Sequence, residues 1–331
     1  MSANDEAIVV TVPPAAAGQR ADRTVAAALK AALGDGAPSR AVVQRWLDEG
    51  RITRGDRPVA AADRLRSGDV LRVVPGAPPR SDAAPEEGIA FEVLYVDDDV
   101  VVLDKPAGLV VHPARGHETG TLVNGLLARG LFRADEALAD TRDPEGHLRP
   151  GIVHRLDAGT SGVMVVARTS LAREGLKAQF HDHSIARAYE ALTVGVAEAR
   201  LHATLHGRAP NDRLRFTTRV REGKRAVTRV SVLAHFGSLA SHVRCELETG
   251  RTHQIRVHLA ESGTPILGDP LYGKPAKDPR VRAIATALGH QALTARLLGF
   301  RHPRTGAEMR FEVPLPADFE AAAAKLLALT A

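Results

Sequence analysis

Apolar positions near the start of the chain recur at helical spacing. They return every three or four residues over 21–33 and again over 39–50, which predicts two amphipathic helices with a Gly- and Pro-containing break between them. Ser39 is a residue type that caps helix N-termini, so we place the start of the second helix there. Two short β-rich runs follow at 51–53 and 69–74, and this part of the chain therefore predicts a small α/β module.

Further along the chain the pattern changes to short runs rich in β-branched residues. These runs predict strands at 91–96, 100–104, 151–155, 162–167, 189–194, 229–234 and 242–247. Two helices are predicted among them. Thr121 caps the first, which runs through Leu127, and Ala172, Leu176 and Phe180 share one face of the second. Many strands with few helices favour an α+β catalytic domain around a mainly antiparallel mixed sheet over regular βαβ alternation.

The change in pattern also predicts the domain organisation. We expect a flexible N-terminus over 1–18, a small domain over 19–75, a polar linker over 76–88 and a catalytic domain over 89–331. The chain has 331 residues, of which 44% are hydrophobic and 25% are charged. It is long enough to bury two cores, and a generally disordered protein is excluded.

No apolar run approaches the roughly 18 residues that a membrane-spanning helix needs. Asp5 and Glu6 stand where a signal peptide would be basic. We therefore expect a cytoplasmic protein with no membrane partner. No long heptad pattern is evident, so we also expect a monomer.

Cysteine and histidine spacing gives no metal site. The single cysteine, Cys245, excludes a disulfide framework and a zinc site built from several thiolates, and we expect it to be a small buried residue. Neither His181 with His183 nor His253 with His258 has the spacing of a helical metal-binding motif. We therefore predict no bound metal.

Basic residues are concentrated in the long C-terminal part of the chain. The net charge is +5, and residues 105–331 contain 32 Lys and Arg against 22 Asp and Glu. The densest region, residues 208–229, is called the basic segment below. Its cations are Arg208, Arg213, Arg215, Arg219, Arg221, Lys224, Arg225 and Arg229. We interpret the segment as a contact for RNA, with a solvated hairpin as the alternative, and the 4% aromatic content argues against a base-stacking platform.

The most distinctive stretch covers residues 151–168. Two apolar runs enclose a loop that presents Asp157 at a strand end, where catalytic groups are commonly held on a rigid scaffold. Asp157 is a candidate catalytic carboxylate, and capping of its own turn is the alternative. Ser161 with His154 nearby leaves a serine hydrolase as a weaker interpretation, because the G-x-S-x-G motif is absent.

A second stretch, residues 248–259, alternates polar or cationic residues with Ile255, Val257 and Leu259. This alternation places Arg256 on one face, where it could pair with a carboxylate. An arginine beside a catalytic aspartate keeps the carboxylate ionised, while a purely structural ion pair is the other interpretation. The glycine spacing at 263–268 does not make a phosphate-binding loop, because Asp269 stands where lysine is required.

Taken together, these stretches carry a resemblance to a known family. The chain resembles the RluA/RluD-type pseudouridine synthases, which modify large-subunit ribosomal RNA, over nearly all of residues 20–275. The matching motifs are His154-Arg155-Leu156-Asp157-x-x-Thr160-Ser161-Gly162, Gly250-Arg251-Thr252-His253-Gln254-Ile255-Arg256-Val257-His258, Asp104-Lys105-Pro106-x-Gly108, Arg187-x-Tyr189, Gly223-Lys224-x-Ala226-x-Thr228 and Gly268-Asp269-Pro270-Leu271-Tyr272-Gly273. Ala158-Gly159 departs from the family pattern, which usually has a basic and then an acidic residue there.

The resemblance implies an isomerase that needs no cofactor and acts through Asp157 on the ribose of a flipped-out uridine. It implies that Arg256 pairs with Asp157 and that Tyr189 packs on the target ring. It also implies that Arg155 lies at the mouth of the pocket and fills the space that the uridine leaves. Two routes stay open for Asp157, namely attack on the anomeric carbon or removal of a proton from the neighbouring ribose carbon.

The N-terminal module resembles the S-four, or alpha-L, RNA-binding domain. The residues expected to contact RNA are Arg40, Arg45 and Arg51 in this module, and Arg155, Arg213, Arg215, Lys224 and Arg225 in the catalytic domain. Large-subunit (23S) ribosomal RNA is the expected substrate. A synthase acting on transfer RNA and a non-catalytic RNA-binding ribosome-assembly factor are the alternatives.

Overall fold

The computed structural model describes residues 7–34, 37–38, 40–76, 83–113, 119–131, 151–210, 212–273 and 275–330, without the side chains of Ala41 and Arg213. These residues form two compact units that separate between Gly76 and Ala83. Each unit has a hydrophobic core of its own. No helix among the described residues has both the length and the apolar character needed to cross a membrane.

In the first unit, two helices pack on a four-stranded antiparallel sheet with the strand order β1-β4-β2-β3. The elements are β1 (Ile8–Thr11), a short 3-10 helix (Pro14–Ala16), α1 (Ala21–Leu33), α2 (Arg40–Asp48), β2 (Ile52–Arg54), β3 (Arg57–Pro58) and β4 (Val70–Val73). Val25 and Leu29 of α1 meet Val43 and Trp46 of α2 in the core, as their helical spacing predicts.

The predicted flexible N-terminus, residues 1–18, is wrong for residues 8–12. Strand β1 pairs along β4 in antiparallel register. Val10 and Val12 are buried in the first core, and this burial together with the main-chain pairing holds the segment in place. Ser39, the predicted N-cap of α2, lies outside the described residues.

The described residues of the second unit form one ten-stranded sheet with flanking helices. The strand order is β10-β9-β11-β12-β8-β13-β7-β6-β5, and β14 pairs with β13. The strands are β5 (Glu92–Val96), β6 (Val100–Lys105), β7 (Ser161–Ala167), β8 (Ala186–Val194), β9 (Arg200–Ala209), β10 (Asp212–Thr217), β11 (Lys224–Phe236), β12 (Ala240–Leu247), β13 (Leu293–Arg301) and β14 (Glu308–Glu312). The helices are α3 (Leu122–Ala128), α4 (Ser170–His181), α5 (Gln254–Glu261), α6 (Pro279–Leu288) and α7 (Ala317–Ala328). Within these residues β13 and β7 pair in parallel and the other strand pairs are antiparallel, which confirms the α+β prediction.

Strand β7 lies in the interior of the sheet, directly after the loop that contains Asp157. All seven of its residues are buried, the continuous apolar pattern of a strand covered on both faces. The two helices predicted in this domain are confirmed. Thr121 and Asn124 form a capping box at the start of α3, and the Thr169 hydroxyl accepts a hydrogen bond from the Ala172 N–H at the start of α4.

The strand predicted at residues 151–155 is wrong. This segment makes a single bridge, between Ile152 and Val166. At the preceding residue of β7, the Val165 N–H donates at 3.1 Å to Nε2 of His154. The imidazole thus takes the place of the main-chain acceptor that a continued strand would supply, and the chain leaves the sheet toward Asp157.

Candidate active site

Asp157 lies in a tight turn between the Ile152 bridge and β7. The Thr160 N–H donates to the Asp157 carbonyl at 2.9 Å and closes the turn, with Ala158 and Gly159 at its centre. The Asp157 side chain is 18% exposed, so its carboxylate is accessible although the turn that presents it is fixed.

Lys105, at the end of β6, fixes this turn through hydrogen bonds. Its Nζ donates to the carbonyls of Pro106, Leu109 and Ala158 at 2.8, 2.9 and 3.1 Å, so all three ammonium hydrogens have an acceptor. The side chain is fully buried. Burial lowers the pKa of Lys105 to about 7, and the nearby Asp157 carboxylate opposes that shift.

Gln291 holds the other end of the turn. Its Nε2 donates to Thr160 Oγ1 at 3.1 Å, and its side chain lies directly against Gly159. A Cβ at residue 159 would be 2.5 Å from Gln291 Oε1. The departure from the family pattern at Gly159 thus leaves space that Gln291 occupies.

Arg256 of α5 connects Asp157 to a second, buried carboxylate. Its Nη1 donates to Asp157 Oδ2 at 2.8 Å, while its Nε and Nη2 donate to the two oxygens of Asp269, also at 2.8 Å. Burial disfavours the charge of Arg256, but its hydrogen bonds to Asp269 and the adjacent Asp157 raise its pKa above the ordinary value. Such bidentate pairing fixes the plane of the guanidinium and therefore the position of Asp157.

Asp269 serves as the anchor of this arrangement. Its side chain is fully buried, and its Oδ1 also accepts the main-chain N–H groups of Leu271 and Tyr272 at 2.8 and 2.9 Å. Burial alone would raise the pKa of Asp269, yet the hydrogen bonds from Arg256 lower it below the ordinary value. A permanently ionised Asp269 keeps Arg256 charged and in position.

The polar and apolar alternation over residues 254–259 lies in a helix. All six residues are buried in α5, so the alternation does not separate a solvent face from a core face. Arg256 nevertheless reaches a carboxylate, as the sequence predicted, because the N-terminal half of α5 faces the Asp157 turn.

A cleft opens beside the Asp157 turn. Asp157, Tyr189, Arg256 and Arg155 share its wall with His253. Tyr189 is 9% exposed, and burial raises its pKa, so the phenol stays protonated at neutral pH. The structure thus brings the four predicted residues to one cleft, with the Arg155 side chain exposed.

A wider cleft adjoins the first, since Arg155, Asp157, Tyr189 and His253 line both. Arg187 and Arg251 add two further cations to its wall. The Asp157 carboxylate therefore lies where a small cleft opens into a larger, electropositive one.

The serine-hydrolase interpretation is wrong. Ser161 is a buried residue at the start of β7 and lines neither cleft that Asp157 lines. His154 cannot serve it as a base, because its Nε2 accepts the Val165 N–H.

Histidine pairs noted in the sequence form no metal site within the described residues. Both ring nitrogens of His258 are engaged by hydroxyls, Nε2 by Thr204 at 2.9 Å and Nδ1 by Thr228 at 2.8 Å. Cys245 is buried, and burial raises its pKa to about 12.

The predicted RNA contacts of the catalytic domain outside the cleft lie on two strands. Arg213 and Arg215 belong to β10, and Lys224 and Arg225 begin β11. The side chain of Arg213 is outside the described part of the chain. Arg215 lies 3.5 Å from an Asp212 oxygen, Arg225 pairs with Glu248, and Lys224 is exposed.

In the first unit, the three predicted RNA contacts form internal ion pairs. Arg40 pairs with the buried Asp22, its Nε donating at 2.8 Å. Arg45 and Arg51 both face Glu49, at 3.5 and 2.7 Å. Each guanidinium keeps further N–H groups beyond those in its ion pair.

Three residues of the site were given no role from the sequence. Asp269, Lys105 and Tyr272 were noted only as motif positions, and Asp269 also excluded a phosphate-binding loop. The available signal was their presence in the family motifs, but the contacts that give them roles join segments far apart in the chain.

Known proteins are similar to this chain over the region that contains the site. The sequence model of the family described as RNA pseudouridylate synthase matches residues 99–261, which include the Asp157 turn and Arg256. The Neisseria meningitidis protein named ribosomal large subunit pseudouridine synthase D is 40% identical over 323 residues, 96% of this chain and 81% of the relative. A Bacillus subtilis protein, named as the uncharacterized RNA pseudouridine synthase YlyB, is 41% identical over 85% of this chain and 87% of its own length.

A solved structure of a human protein has a fold similar to that of this chain. Human RNA pseudouridylate synthase domain containing 4 is 26% identical and superposes with a TM-score of 0.52, covering 71% of this chain and 92% of the human one. A carboxylate held by an arginine in an electropositive cleft, a matching family model and relatives at 40% identity lead to one conclusion: the chain belongs to the RNA pseudouridine synthase family and is an isomerase.

Proposed function

We propose that this enzyme converts specific uridines of large-subunit ribosomal RNA to pseudouridine, with Asp157 as the catalytic carboxylate. The observation that carries the proposal is the Asp157 side chain itself. It is partly exposed at the junction of two clefts, and one of its oxygens is held by Arg256. An ionised carboxylate in that position is what cleavage of a glycosidic bond requires.

The reaction moves the base without any redox change. The bond between N1 of uracil and C1′ of the ribose breaks, the base turns, and C5 bonds to C1′. C5 then loses its proton and N1 gains one, so atoms and charge balance. Asp157 either bonds to C1′ or removes the C2′ proton in the first step, and both routes use an oxygen directed into the cleft.

Tyr189 and Arg155 have complementary roles in this proposal. A target uridine inside folded RNA must be flipped out of its stack, which costs a few kcal/mol. Tyr189, in the wall of the small cleft, packs on the extruded ring. Arg155 is exposed at the junction of the clefts, where it can enter the space that the uridine leaves.

The wider cleft and the basic segment suit the RNA backbone. Arg187 and Arg251 make the cleft beside Asp157 electropositive, and Lys224, Arg225 and Arg215 add charge along β10 and β11. Neutralising phosphates with such cations supplies sequence-independent affinity. The target strand therefore runs through the wider cleft, with its flanking helix on the basic segment.

The first unit is proposed as a second RNA-binding element of the S-four type. Its helical pair, α1 and α2, and its sheet fit a small RNA-binding module, and Arg40, Arg45 and Arg51 retain N–H donors for phosphates. We assign ribosomal RNA as the substrate because the Neisseria relative is named for the large ribosomal subunit. A cytoplasmic monomer remains our prediction.

Replacing Asp157 with Asn tests the proposed chemistry. The variant keeps the size of the side chain but removes its charge, so we expect pseudouridine formation in a large-subunit RNA transcript to fall by at least about 10³-fold, with RNA affinity within about threefold of wild type. Asp98→Asn, which changes an exposed carboxylate outside both clefts, is the control and should remain fully active.

Substantial turnover by Asp157→Asn would remove the carboxylate mechanism. Pseudouridine mapping in cells with and without the gene identifies the target. Loss of pseudouridine from large-subunit RNA supports the proposed substrate, whereas loss confined to transfer RNA contradicts it.

Lys224→Gln tests the RNA contact of the basic segment. Removing one phosphate contact should weaken RNA binding severalfold and make the slope of log Kd against log salt shallower by about one. Arg301→Gln, which removes an equally exposed cation on β13, should leave that slope unchanged. Equal slopes for wild type and Lys224→Gln would exclude this contact.

A further inference from the structure

His253 has an unusual backbone conformation beside Asp157. It immediately precedes α5, with φ 58° and ψ 19°, the left-handed region that non-glycine residues rarely adopt. Such a conformation costs on the order of 1 kcal/mol and persists only where the surroundings enforce it. The ring is held edge-on by Phe216 at 5.7 Å and by Tyr272 at 5.5 Å between centroids.

The hydrogen bonds of Tyr272 determine which nitrogen of His253 carries the proton. The Tyr272 oxygen accepts the main-chain N–H of Phe216 at 2.8 Å and lies 2.8 Å from His253 Nδ1. If the phenol donates to Nδ1, every group in this chain of bonds is satisfied. In the opposite tautomer the phenol hydrogen has no further acceptor among the described residues. The network therefore assigns the proton to Nε2.

The protonated Nε2 faces the free oxygen of Asp157. Asp157 Oδ2 is bound to Arg256, while Oδ1 lies 3.8 Å from His253 Nε2. That separation is longer than a hydrogen bond, so Oδ1 keeps its lone pairs for reaction. The positive end of an N–H at Nε2 nevertheless favours the ionised carboxylate at this distance and disfavours movement of Oδ1 away from it.

Burial keeps the imidazole neutral at working pH. Burial lowers the pKa of His253 below its ordinary value, and the neighbouring Asp157 only partly opposes that shift. A neutral ring with its proton on Nε2 directs that N–H toward Oδ1 from 3.8 Å without forming a hydrogen bond or a full ion pair, which would make the carboxylate less reactive.

We infer that His253 is a positioning residue for the reaction, holding Oδ1 of Asp157 toward the substrate through an Nε2–H that Tyr272 and the main chain of Phe216 fix. The inference rests on the proposed role of Asp157. Two hydrogen bonds through Tyr272 also link strand β10, part of the basic segment, to His253. Arg256 also contacts both residues, since its guanidinium lies 5.2 Å from the centroid of the Tyr272 ring, but it donates to Oδ2 of Asp157, whereas His253 faces Oδ1.

A pair of amide variants tests the inference. Asn tolerates the left-handed backbone but is too short to reach Asp157, whereas Gln can place an N–H near the position of Nε2. We expect His253→Asn to lower kcat about 10- to 100-fold with KM for RNA within about twofold, because a misdirected nucleophile loses rate and not binding. His253→Gln should recover about tenfold of that loss. His235→Ala, an exposed histidine of β11 outside the clefts, is the control and should match wild type.

Nitrogen NMR of the full-length wild-type protein measures the tautomer directly, so the inference stays testable even if a variant fails to fold. We expect the His253 shifts of a ring protonated at Nε2, and loss of that preference in Tyr272→Phe together with a lower kcat. A wild-type ring protonated at Nδ1 would overturn the inference. So would kcat within twofold for His253→Asn, an effect on KM alone, or no gain from Gln over Asn. An active Asp157→Asn enzyme would instead refute the proposed function, so the two failures are distinguishable.

Discussion

A single guanidinium organises the site at the residue scale. Arg256 binds Asp157 with one nitrogen and Asp269 with the other two, all at 2.8 Å. Two carboxylates this close would repel each other without it. The buried Asp269 fixes the arginine, and the arginine fixes the Asp157 carboxylate. Charge and geometry are therefore set by the same group.

Arg256→Lys keeps the positive charge but offers one ammonium in place of a planar fork. Lysine cannot bind Asp157 and both oxygens of Asp269 together. We expect kcat to fall about 100-fold and the free energy of unfolding to fall by about 2 kcal/mol. Single-turnover pseudouridine assays and urea unfolding measure these quantities.

Arg304→Lys is the matched control for this change. Arg304 also forms a bidentate pair, with the oxygens of Asp99 at 2.5 and 2.7 Å, but it lines neither cleft. It should retain kcat. If Arg256→Lys lowers turnover no more than Arg304→Lys, the shared guanidinium has no special part in the reaction.

At the scale of elements, the Asp157 turn is held from three directions. Lys105 at the end of β6 binds the Ala158 carbonyl, Gln291 before β13 binds Thr160, and Arg256 of α5 binds the carboxylate itself. Elements that are distant in sequence thus meet at one short loop. These contacts hold the loop in place, so it can present an ionised carboxylate although its own residues would not make it rigid.

Gly162 makes the junction of β7 and β13 possible. Its φ is +113°, and a Cβ there would lie 2.2 Å from the Ala295 carbonyl oxygen of the parallel neighbour. We expect Gly162→Ala to lower the free energy of unfolding by about 3 kcal/mol or more and to reduce turnover, since the residue closely follows the turn that holds the proposed catalytic Asp157. Urea unfolding is the measurement.

Gly306→Ala controls for backbone strain alone. Gly306 also has a positive φ, of 72°, but no atom lies within 4 Å of the added carbon. The expected loss there is about 1 kcal/mol. Equal losses for the two variants would show that close approach of the strands is not what Gly162 provides.

At the scale of the whole molecule, buried histidines make stability depend on pH. Burial lowers the pKa of His258 to about 4 and that of His154 to about 3, and it lowers those of His202 and His206 as well. In the unfolded chain these groups titrate near 6.5. Between the two values the unfolded state binds more protons than the folded state. The contribution of these histidines to stability is therefore complete above pH 6.5 and is lost as the pH falls below it.

We expect the free energy of unfolding to fall steadily from pH 6.5 to 5, with His258 alone contributing up to about 2 kcal/mol. Urea unfolding at several pH values in this window measures the slope, above the range where most carboxylates titrate. His258→Asn should show a shallower slope than wild type, while His235→Ala should show the same slope. A flat profile between pH 7 and 5 would contradict the prediction.

Local patterns in the sequence determined the local structure. Helical spacing and caps predicted α1, α3 and α4, and the paired helix and strand runs predicted most of the first unit. Predictions from sequence patterns were wrong where contacts with distant parts of the chain decided the structure. Residues 151–155 have a strand pattern, but the His154 imidazole accepts the Val165 N–H of β7 in place of a main-chain carbonyl. Residues 8–12 look like a flexible terminus, but β1 pairs with β4, which lies about 60 residues further along the chain. Helices α5, α6 and α7 and strands β1, β3, β9, β10, β13 and β14 were not predicted as elements.

By itself, the sequence indicated a carboxylate in a turn at a strand end, arginine and tyrosine motifs that accompany it, and a basic segment in the C-terminal part. Only the tertiary structure decided how they act together. Asp157 and Arg256 are 99 residues apart and are joined by a hydrogen bond. The hydrogen bond from Lys105 to the Ala158 carbonyl joins residues that are 53 positions apart. Residue types and short spacings govern hydrogen bonds within a few residues. Pairing across such separations depends on how the sheet closes and which side chains are buried together, and that geometry directs one oxygen of Asp157 into the cleft.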